Sequence, residues 1–561
     1  MEPEVDLSGH WIDGDVVHIG EIRIGAGAAV GARSTTAAGR ADRPGSGGRT
    51  GLRGVREGQG GTALGRSPAV KVGKATHPWP DHPPRRAAHW VPIFGVTSVV
   101  LAGMPIFGLA AGLLLVGLRV RGAADLGDAF RRALVILPVA TLASLFVFAA
   151  LTVIAVRPAV DRADRGLPPG PQRVGWQAWA TERLMDSART FLFPLYASLL
   201  TPLWLRLLGA KVGRDTEIST ALVLPKFTTV ADGAFLADDT MVASYELGGG
   251  WMRIEPAKVA SVRSWATPAW PSRPTGPPER ARRGAVGRAE QGQVGVVVAG
   301  QPAGPVAQGR HRVRRVRTFE PPLRLKVARA FVETCRLIPV MVTFGIGLGV
   351  LFTLAWLVSV GGFPLAAVCG GVVLMLAGAV AGAVSVAAKW LVVGRIGAVE
   401  HPLWSSFVWR NEVSDAFVET VAAPWFARAA NGTAVMNVWL RGLGATIGRG
   451  VWCETYWLPE ADLVTLGDGA TVERGCVVQT HLFHDRIMSM DTVTLGAGAT
   501  LGPHCVALPA AGLGDGATVG PASLVMRGDV VPASTRWQGN PIAPWNDSMP
   551  WNDSAADGAA R

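Results

Sequence analysis

Two histidines and an aspartate lie close together in one polar segment near the C-terminus, Thr480-His481-Leu482-Phe483-His484-Asp485-Arg486. An imidazole can take a proton from a nucleophile near neutral pH, and a neighbouring carboxylate can fix its tautomer. The segment predicts general-base chemistry, with His481 or His484 as the base and Asp485 as the orienting group. In a competing interpretation the histidines only bind backbone in an exposed loop. A His-x-x-His pair could also bind zinc, but no third ligand is evident, so we predict no metal site.

This segment interrupts a six-residue repeat of aliphatic side chains, and the repeat is interrupted in the same way in two earlier places. In each case the residue 14 positions before the repeat resumes is polar: His481, Tyr245 and His10. The three interruptions therefore present a polar side chain at one equivalent point. His10 and Tyr245 are further candidates for catalysis.

The repeat itself predicts the fold of the soluble parts. A period of six fits neither an amphipathic helix nor an alternating strand. It fits a triangular solenoid, in which each face is a short strand, each corner is a Gly-rich turn and three hexads make one coil. The aliphatic positions are Val212, Ile218, Leu224, Val230, Leu236 and Val242 in the middle of the chain, and Leu495, Leu501, Ala507, Leu513, Val519 and Val525 near its end.

A longer repeat lies above the hexads. Trp204-Leu205-Arg206 reappears as Trp439-Leu440-Arg441 shortly before each hexad stretch begins. The repeating unit is therefore a helix pair, an amphipathic Trp-rich segment and a solenoid, present twice in full after the tail of a first copy.

Three long runs without charge predict membrane-spanning helices. Val91–Leu118, Ala133–Val156 and Leu337–Ala388 contain 28, 24 and 52 residues, and a spanning helix needs about 20. The last run is broken by Gly361-Gly362-Phe363-Pro364, which predicts four transmembrane helices in two hairpins. Hairpins return the chain to one side and no secretory signal is visible, so we expect an integral, multi-pass protein with its solenoids in the cytoplasm.

Positive charge is concentrated in two segments. The formal net charge is +12, yet residues 31–75 alone have nine Lys or Arg against two acids, and residues 261–317 have eleven Arg against two acids. Both segments lack hydrophobic periodicity and are rich in Pro, Gly and Ala, so we expect disordered linkers and no nucleic-acid partner. The abrupt loss and recovery of the repeat is also what a shifted reading frame would give.

Together these patterns divide the chain into seven parts. They are a truncated first β-helix domain with a disordered stretch at 34–66 (1–75), a transmembrane hairpin (91–157), an amphipathic segment with an incomplete second β-helix domain (176–260), a disordered basic linker (261–317), a second transmembrane hairpin (335–392), an amphipathic segment with a complete third β-helix domain (402–545) and a tail (546–561).

The hexad Leu495-Gly496-Ala497-Gly498-Ala499-Thr500 and the closing Trp537-Gln538-Gly539-Asn540-Pro541-Ile542 resemble hexapeptide-repeat acyltransferases. The alternation of solenoids with helix hairpins is similar to the membrane C-terminal region of nonribosomal peptide synthetases of the poly-ε-lysine type. There, an adenylation domain and a carrier domain precede three tandem β-helix domains. The resemblance covers nearly the whole chain except residues 34–66 and 261–317. It implies a mixed membrane α and β fold, in which left-handed parallel β-helix domains alternate with transmembrane helix hairpins, and a chain that begins within the first β-helix domain.

The resemblance also implies a reaction. Such a region would form peptide or isopeptide bonds from aminoacyl thioesters on the phosphopantetheine of a separate carrier domain, with an amino acid or another amine as acceptor. Adenylation and carrier domains would act in trans or be encoded upstream, and the chain itself would bind no cofactor. Arg527 and Trp537 are candidates to contact the pantetheine or CoA arm. Because free hexapeptide acyltransferases are trimers, the tandem copies could form a pseudo-trimer, and a homo-oligomer is also possible.

Two alternatives stay open. The chain could be a stand-alone hexapeptide acyltransferase that uses acyl-CoA on a membrane or envelope substrate. It could also be an inactive fragment of a disrupted synthetase gene.

Overall fold

The structure, a computed structural model of the 561-residue chain, divides into two compact units. One comprises Met1–Asp81 with Ala367–Arg561, and the other comprises His82–Ala366. The linker at 261–317 and the tail at 546–561 lie outside the described residues. The described residues are 5–14, 16–22, 24, 29–30, 35–37, 46–47, 52–53, 62–65, 70–74, 79–80, 82, 84, 87–161, 172–238, 240–242, 244–259, 321–484 and 486–545.

Nine α-helices and one π-helix occur in the described part of the chain. They are α1 (Trp90–Val120), α2 (Leu126–Asp161), α3 (Arg173–Phe191), α4 (Thr201–Leu207), α5 (Leu323–Thr334), α6 (Leu337–Val392), α7 (Ser406–Phe417), the π-helix (Val418–Ala427), α8 (Arg428–Ala430) and α9 (Ala434–Leu443).

Three helical stretches among the described residues are long and apolar enough to cross a membrane: α1, α2 and a third within Leu323–Val392. The sequence predicted four such helices. In the third stretch α6 is continuous except at Gly361 (φ −133°, ψ 15°) and Gly362 (φ 71°, ψ −177°), where its backbone leaves the helical region. These residues are in the predicted turn, and a positive φ is readily adopted only by glycine.

Helices α1 and α2 pack closely because glycine stands at their contact. A Cβ on Gly112 would lie 2.6 Å from the carbonyl oxygen of Ala140, and one on Gly108 would lie 2.9 Å from the Cβ of Phe148. Residue numbers fall along α1 as they rise along α2, so the two helices run antiparallel at this contact.

The second solenoid, in the His82–Ala366 unit, has parallel strands on three faces. Its hexads place aliphatic side chains inward, and all of these are buried except Val212, which is half-buried. One position differs from the sequence prediction: Val223, and not Leu224, pairs in register with Val242, while Leu224 packs in a separate cluster with Phe227 and Ile254. The faces are Lys211–Val212, Thr228–Val230 and Ala257–Val259; Glu217–Ile218 and Phe235–Leu236; and Leu222–Val223 and Met241–Val242.

The third solenoid repeats this arrangement over more coils. Its register advances by 18 residues from Thr494 to Gly512 and from Thr500 to Thr518, which is three hexads for each coil. The predicted inward column residues are all buried. The faces are Thr446–Ile447, Val464–Leu466, Val493–Leu495, Gly512–Leu513 and Val530–Val531; Trp452–Cys453, Thr471–Val472, Thr500–Leu501, Thr518–Val519 and Arg536–Gln538, with Ala543–Pro544 added antiparallel; and Val477–Val478, Val506–Ala507 and Leu524–Val525.

The Trp-Leu-Arg repeat has the same structural role in both solenoids. Arg206 donates from Nε to the carbonyl oxygen of Val212 at 3.0 Å, and Arg441 donates from Nε to that of Ile447 at 2.9 Å. Each arginine therefore ties the preceding helix to the first strand of its solenoid.

The N-terminal segment contains a hairpin of His10–Asp13 and Val16–Ile19 and several short strands. Among the described residues of 34–66, Thr35–Ala37 pairs with Asp6–Ser8; the disorder of that stretch stays a prediction. The other strands are Ala29–Val30, Ser46–Gly47, Leu52–Arg53, Thr62–Gly65 and Val70–Lys74.

Candidate functional site

The polar segment that interrupts the third solenoid is a β-hairpin. His481–His484 pairs antiparallel with Ile487–Met490, between the coil strands Val477–Val478 and Val493–Leu495. A third strand, Glu400–Pro402, pairs with the outer side of Ile487–Met490. The hairpin is thus held at both ends by the coils and along one edge by the chain that follows α6.

His481 contacts a buried carboxylate. Its Nδ1 lies 2.8 Å from Oε2 of Glu460, whose side chain is fully buried. Asn411 donates to the other carboxylate oxygen at 2.8 Å, and the Thr480 hydroxyl lies 2.5 Å from Oε2. These hydrogen-bond donors stabilise the buried carboxylate of Glu460. The carboxylate in turn fixes the orientation of the His481 ring.

The electrostatics of Glu460 match this arrangement. Burial alone would raise the pKa of Glu460, but the charge of His481 and the hydrogen bonds from His481, Thr480 and Asn411 outweigh burial and lower the pKa. Glu460 also has a left-handed backbone (φ 44°, ψ 59°), a strained conformation that often marks functional sites in proteins. The carboxylate is therefore ionised, and it favours the imidazolium that forms when His481 takes a proton.

The sequence predicts Asp485 as the orienting group and does not point to Glu460. Asp485 lies outside the described residues, as does the side chain of His484, so their roles stay predictions. Glu460 is 21 residues before His481, one coil earlier. The one local signal is its place directly after Leu458-Pro459, because the second domain has the same Leu-Pro pair.

The three predicted polar residues occupy the same position in three hairpins. His481 pairs with Met490, Tyr245 with Ile254 and His10 with Ile19, each time joining the first residue of one strand to the last residue of the other. These positions agree with the 14-residue spacing in the sequence, and the catalytic roles of the three residues stay predictions.

Their surroundings differ. The Tyr245 hydroxyl donates to Oε2 of Glu182 on α3 at 2.7 Å. The residue after Leu224-Pro225 is Lys226, where the third domain has Glu460. His10 is exposed. Of the three hairpins, the third alone shows an imidazole on a buried carboxylate in the described part of the chain.

The two candidates for donor binding occupy different places. Arg527 lies against the hairpin, and its Nη2 donates to the Ser489 hydroxyl at 3.2 Å, where Ser489 pairs with Leu482. Trp537 continues the inward column after Val519 and packs on the core, with its Nε1 bonded to Thr535. A cationic side chain beside the hairpin suits a phosphate-bearing donor, whereas the ring of Trp537 closes the end of the solenoid core.

The first hairpin packs on the second face of the third solenoid, within one unit. Asp13 accepts from the Thr518 hydroxyl at 2.8 Å and pairs with Arg536, and the Gly14 N–H donates to the Thr500 hydroxyl at 3.1 Å. The contacting threonines are buried. The N-terminal segment is therefore part of the folded third domain.

A buried glutamate lies at this contact. The Ile12 N–H donates to Oε1 of Glu473 at 2.5 Å. Burial, together with the charges of Glu454 and Asp13, raises the pKa of Glu473 to about 7, although the Ile12 N–H and Arg474 oppose the shift. Glu473 is thus a carboxyl that titrates near neutral pH.

Three cysteines lie inside the third solenoid: Cys453, Cys476 and Cys505. Burial raises the pKa of Cys453 to about 11 and that of Cys505 to about 12, and it raises the pKa of Cys476 well above the usual value. Because the thiolate is the nucleophilic form, these residues serve the core and not covalent catalysis.

No family model matches the sequence. The chain is 30% identical over 380 residues to the delta-poly-L-ornithine synthetase of Acinetobacter baumannii (strain AB307-0294), an alignment that covers 66% of this chain and 28% of that protein. The predicted resemblance is confirmed. This chain is similar to part of that synthetase and spans about 28% of its length.

Solved structures of acyltransferases are also similar to parts of the chain. A variant of the N-acyltransferase AntD from Bacillus cereus, in complex with dTDP and coenzyme A, is 16% identical, with 15% of this chain and 51% of that chain covered and a TM-score of 0.14. A hexapeptide-repeat acetyltransferase from Vibrio cholerae is 16% identical (20% and 79% covered, TM-score 0.17). A galactoside acetyltransferase in complex with coenzyme A is 18% identical (21% and 72% covered, TM-score 0.17).

Proposed function

We propose that this chain is the amide-bond-forming region of a poly-amino-acid synthetase, with His481 as general base and Glu460 as its orienting carboxylate. The observation that supports it is the 2.8 Å contact between His481 Nδ1 and Glu460 on a hairpin at the edge of the third solenoid. A carboxylate on Nδ1 holds the proton there and leaves Nε2 to act on substrate.

The reaction needs one proton transfer in each direction. Nε2 of His481 takes the amine proton as the amine nitrogen attacks the thioester carbonyl carbon, so the C–N bond forms. When the tetrahedral intermediate collapses, the C–S bond breaks, and the imidazolium returns the proton to the departing sulfur. Ionised Glu460 stabilises the imidazolium between these steps.

The donor is proposed to be an aminoacyl thioester on the phosphopantetheine of a carrier domain, activated by an adenylation domain. Arg527, beside the hairpin, would hold the phosphate of that arm; for Trp537, its place on the core favours a structural role. The name of the relative suggests ornithine as a monomer. The alternative donor is an acyl-CoA, which has the same pantetheine arm.

The finer architecture belongs to this proposal as well. We propose that the solenoids are left-handed β-helices, that α1, α2 and the two parts of α6 on either side of Gly361 and Gly362 form two transmembrane hairpins, and that the solenoids face the cytoplasm. The three hairpins at His10, Tyr245 and His481 are unequal copies, and the third does the chemistry.

The test uses the full chain in lipid nanodiscs with ornithine as acceptor. Ornithyl-phosphopantetheine and ornithyl-CoA are supplied in parallel, and His481→Ala is compared with His89→Ala, an exposed histidine near the start of α1. We expect amide product from the wild type and from His89→Ala but none from His481→Ala. Full product from His481→Ala would refute the assignment. Product with CoA esters alone would favour the stand-alone enzyme. If the wild type is folded but gives no product with either donor or with a supplied aminoacyl carrier domain, that result would favour an inactive fragment.

A further inference from the structure

A buried ion pair joins the end of an apolar helix to the third solenoid. Lys389, in the last turn of α6, has its Nζ 2.7 Å from Oδ2 of Asp462, and both side chains are less than a tenth exposed. Removing two charges from water costs free energy that their attraction does not always return. A pair retained at this depth therefore suggests a role in holding one particular geometry.

Asp462 is part of the turn that begins at Glu460. The residues Ala461–Leu463 form one turn of 3-10 helix, and the Leu463 N–H donates to the carbonyl oxygen of Glu460 at 2.8 Å. On its other side, Asp462 is confined by the backbone at Gly444, where a Cβ would lie 2.7 Å from Oδ1. Fixing Asp462 therefore fixes the strained backbone of Glu460 two residues earlier.

The chain that leaves α6 also contacts the hairpin. Its strand Glu400–Pro402 pairs with Ile487–Met490, and the Leu403 N–H donates to the carbonyl oxygen of Arg486 at 2.9 Å. One helix end is thus connected to the carboxylate by Lys389 and to the imidazole-bearing hairpin by this strand.

In the described residues of the second domain the dyad is absent, and the equivalent turn is the shorter 3-10 helix Pro225–Phe227. Two residues, Lys226 and Phe227, separate its Leu-Pro pair from the next strand, whereas four residues do so in the third domain. The extra residues in the third domain include Asp462. We call the Lys389–Asp462 ion pair the brace. In the part of the chain that the structure describes, the brace occurs beside the turn that carries Glu460, and the turn after Leu224-Pro225, in the domain with Tyr245, has no counterpart of Asp462.

We propose that Lys389 and Asp462 are positioning residues that hold Glu460 against His481, so that the end of α6 sets the geometry of the dyad. The geometric part of this proposal stands on the contacts above, and its consequence for catalysis rests on the proposed function. If the brace is lost, the turn after Pro459 can relax and the carboxylate can move away from the ring.

The experiment measures His481 directly, without product. Diethylpyrocarbonate modifies unprotonated imidazole, so the pH dependence of its reaction with His481, followed by peptide mass spectrometry on the full chain in nanodiscs, reports how strongly Glu460 favours the imidazolium. We expect Lys389→Met and Asp462→Asn to shift the His481 midpoint to lower pH, in the same direction as Glu460→Gln. The double variant Lys389→Met/Asp462→Asn, which leaves no unpaired buried charge, should fold and show the same shift.

Arg410→Met is the matched control. It removes a hydrogen bond to the same helix end, from Arg410 Nη1 to the carbonyl oxygen of Val392 at 3.0 Å, and the hydrogen bonds of Arg410 go to Val392 and Ser406 rather than to Lys389 or Asp462. It should leave the midpoint unchanged. Product formation in the double variant should fall by up to about a hundredfold, as expected for a misplaced catalytic group. A wild-type midpoint in the folded double variant would overturn the proposal. A shifted midpoint combined with full activity of His481→Ala would support the brace and refute the proposed function.

Discussion

The second and third domains share one architecture and differ at one point of chemistry. Both hold a hairpin between coils, with the first residue of one strand opposite the last residue of the other. In the third domain that residue is His481 on buried Glu460, and in the second it is Tyr245 on Glu182 of α3. A tyrosine hydroxyl that donates to a carboxylate is a poor base near neutral pH, because phenol loses its proton only near pH 10.

The difference teaches that the fold supplies the position and that neighbouring residues supply the function. Under the proposed function, the third hairpin carries the general base and the second hairpin is structural. The two copies differ in the residue after Leu-Pro, in the first residue of the hairpin and in the length of the turn between Leu-Pro and the next strand.

The largest expected effect comes from the carboxylate. Glu460→Gln keeps the size of the side chain but removes the charge that stabilises imidazolium, and it can hold the wrong tautomer. We expect amide formation to fall by roughly 100- to 10,000-fold, the range typical of general-base catalysis. The measurement is the steady-state rate in nanodiscs at pH 7.5.

Glu182→Gln is the corresponding change in the second domain. It removes the acceptor of the Tyr245 hydroxyl, and we expect a rate close to that of the wild type. Equal losses from Glu460→Gln and Glu182→Gln would mean that the two hairpins contribute equally, which would remove the distinction between them.

The sequence predicted the repeating features of this site and missed the long-range ones. The positions of His10, Tyr245 and His481 follow from a period that every coil repeats, so counting residues found them. Glu460 could not be found in this way, because it reaches His481 across a full coil from a turn whose length differs between the domains. Leu224 is a smaller example of the same limit. The six-residue spacing predicts Leu224 as the inward residue before Pro225, but the backbone there is shifted by one residue and Val223 takes the inward position beside Val242.

The contact between the first hairpin and the third solenoid was also beyond the sequence. It joins Asp13 to Thr518 and Arg536, about 500 residues apart in the chain, and no local pattern indicates it. The threonines on that face are buried, but the hexad repeat alone is equally compatible with their being exposed to solvent. Only the folded structure shows that a second segment covers them.

A smaller effect is expected from Glu473, whose counterpart in the second domain by hexad position is Ala237. Its pKa is raised from 4.5 to about 7 in the folded protein. Because the folded state binds this proton more tightly than the unfolded state, the associated stability is present below about pH 4.5 and is lost as the pH rises through about 7. The melting temperature of the third domain should therefore fall between pH 5 and pH 8.

Glu473→Gln mimics the protonated carboxyl and should flatten that dependence. Asp515→Asn, which changes a corner carboxylate bonded to the Ala497 N–H on the same solenoid, should keep the slope of the wild type. If Glu473→Gln melts with an unchanged slope, the first hairpin does not keep Glu473 buried in solution.

The smallest effect is expected from giving the second hairpin the residues of the third. In a His481→Ala background, Lys226→Glu with Tyr245→His places a glutamate and a histidine at the equivalent positions of the second domain. We nevertheless expect no measurable product. The turn after Pro225 is two residues shorter than the turn after Pro459. It contains no aspartate equivalent to Asp462, so nothing would hold the carboxylate of the new glutamate against the imidazole of the new histidine. Return of product would show that residue identity alone makes the site, and that the geometry around Asp462 is dispensable.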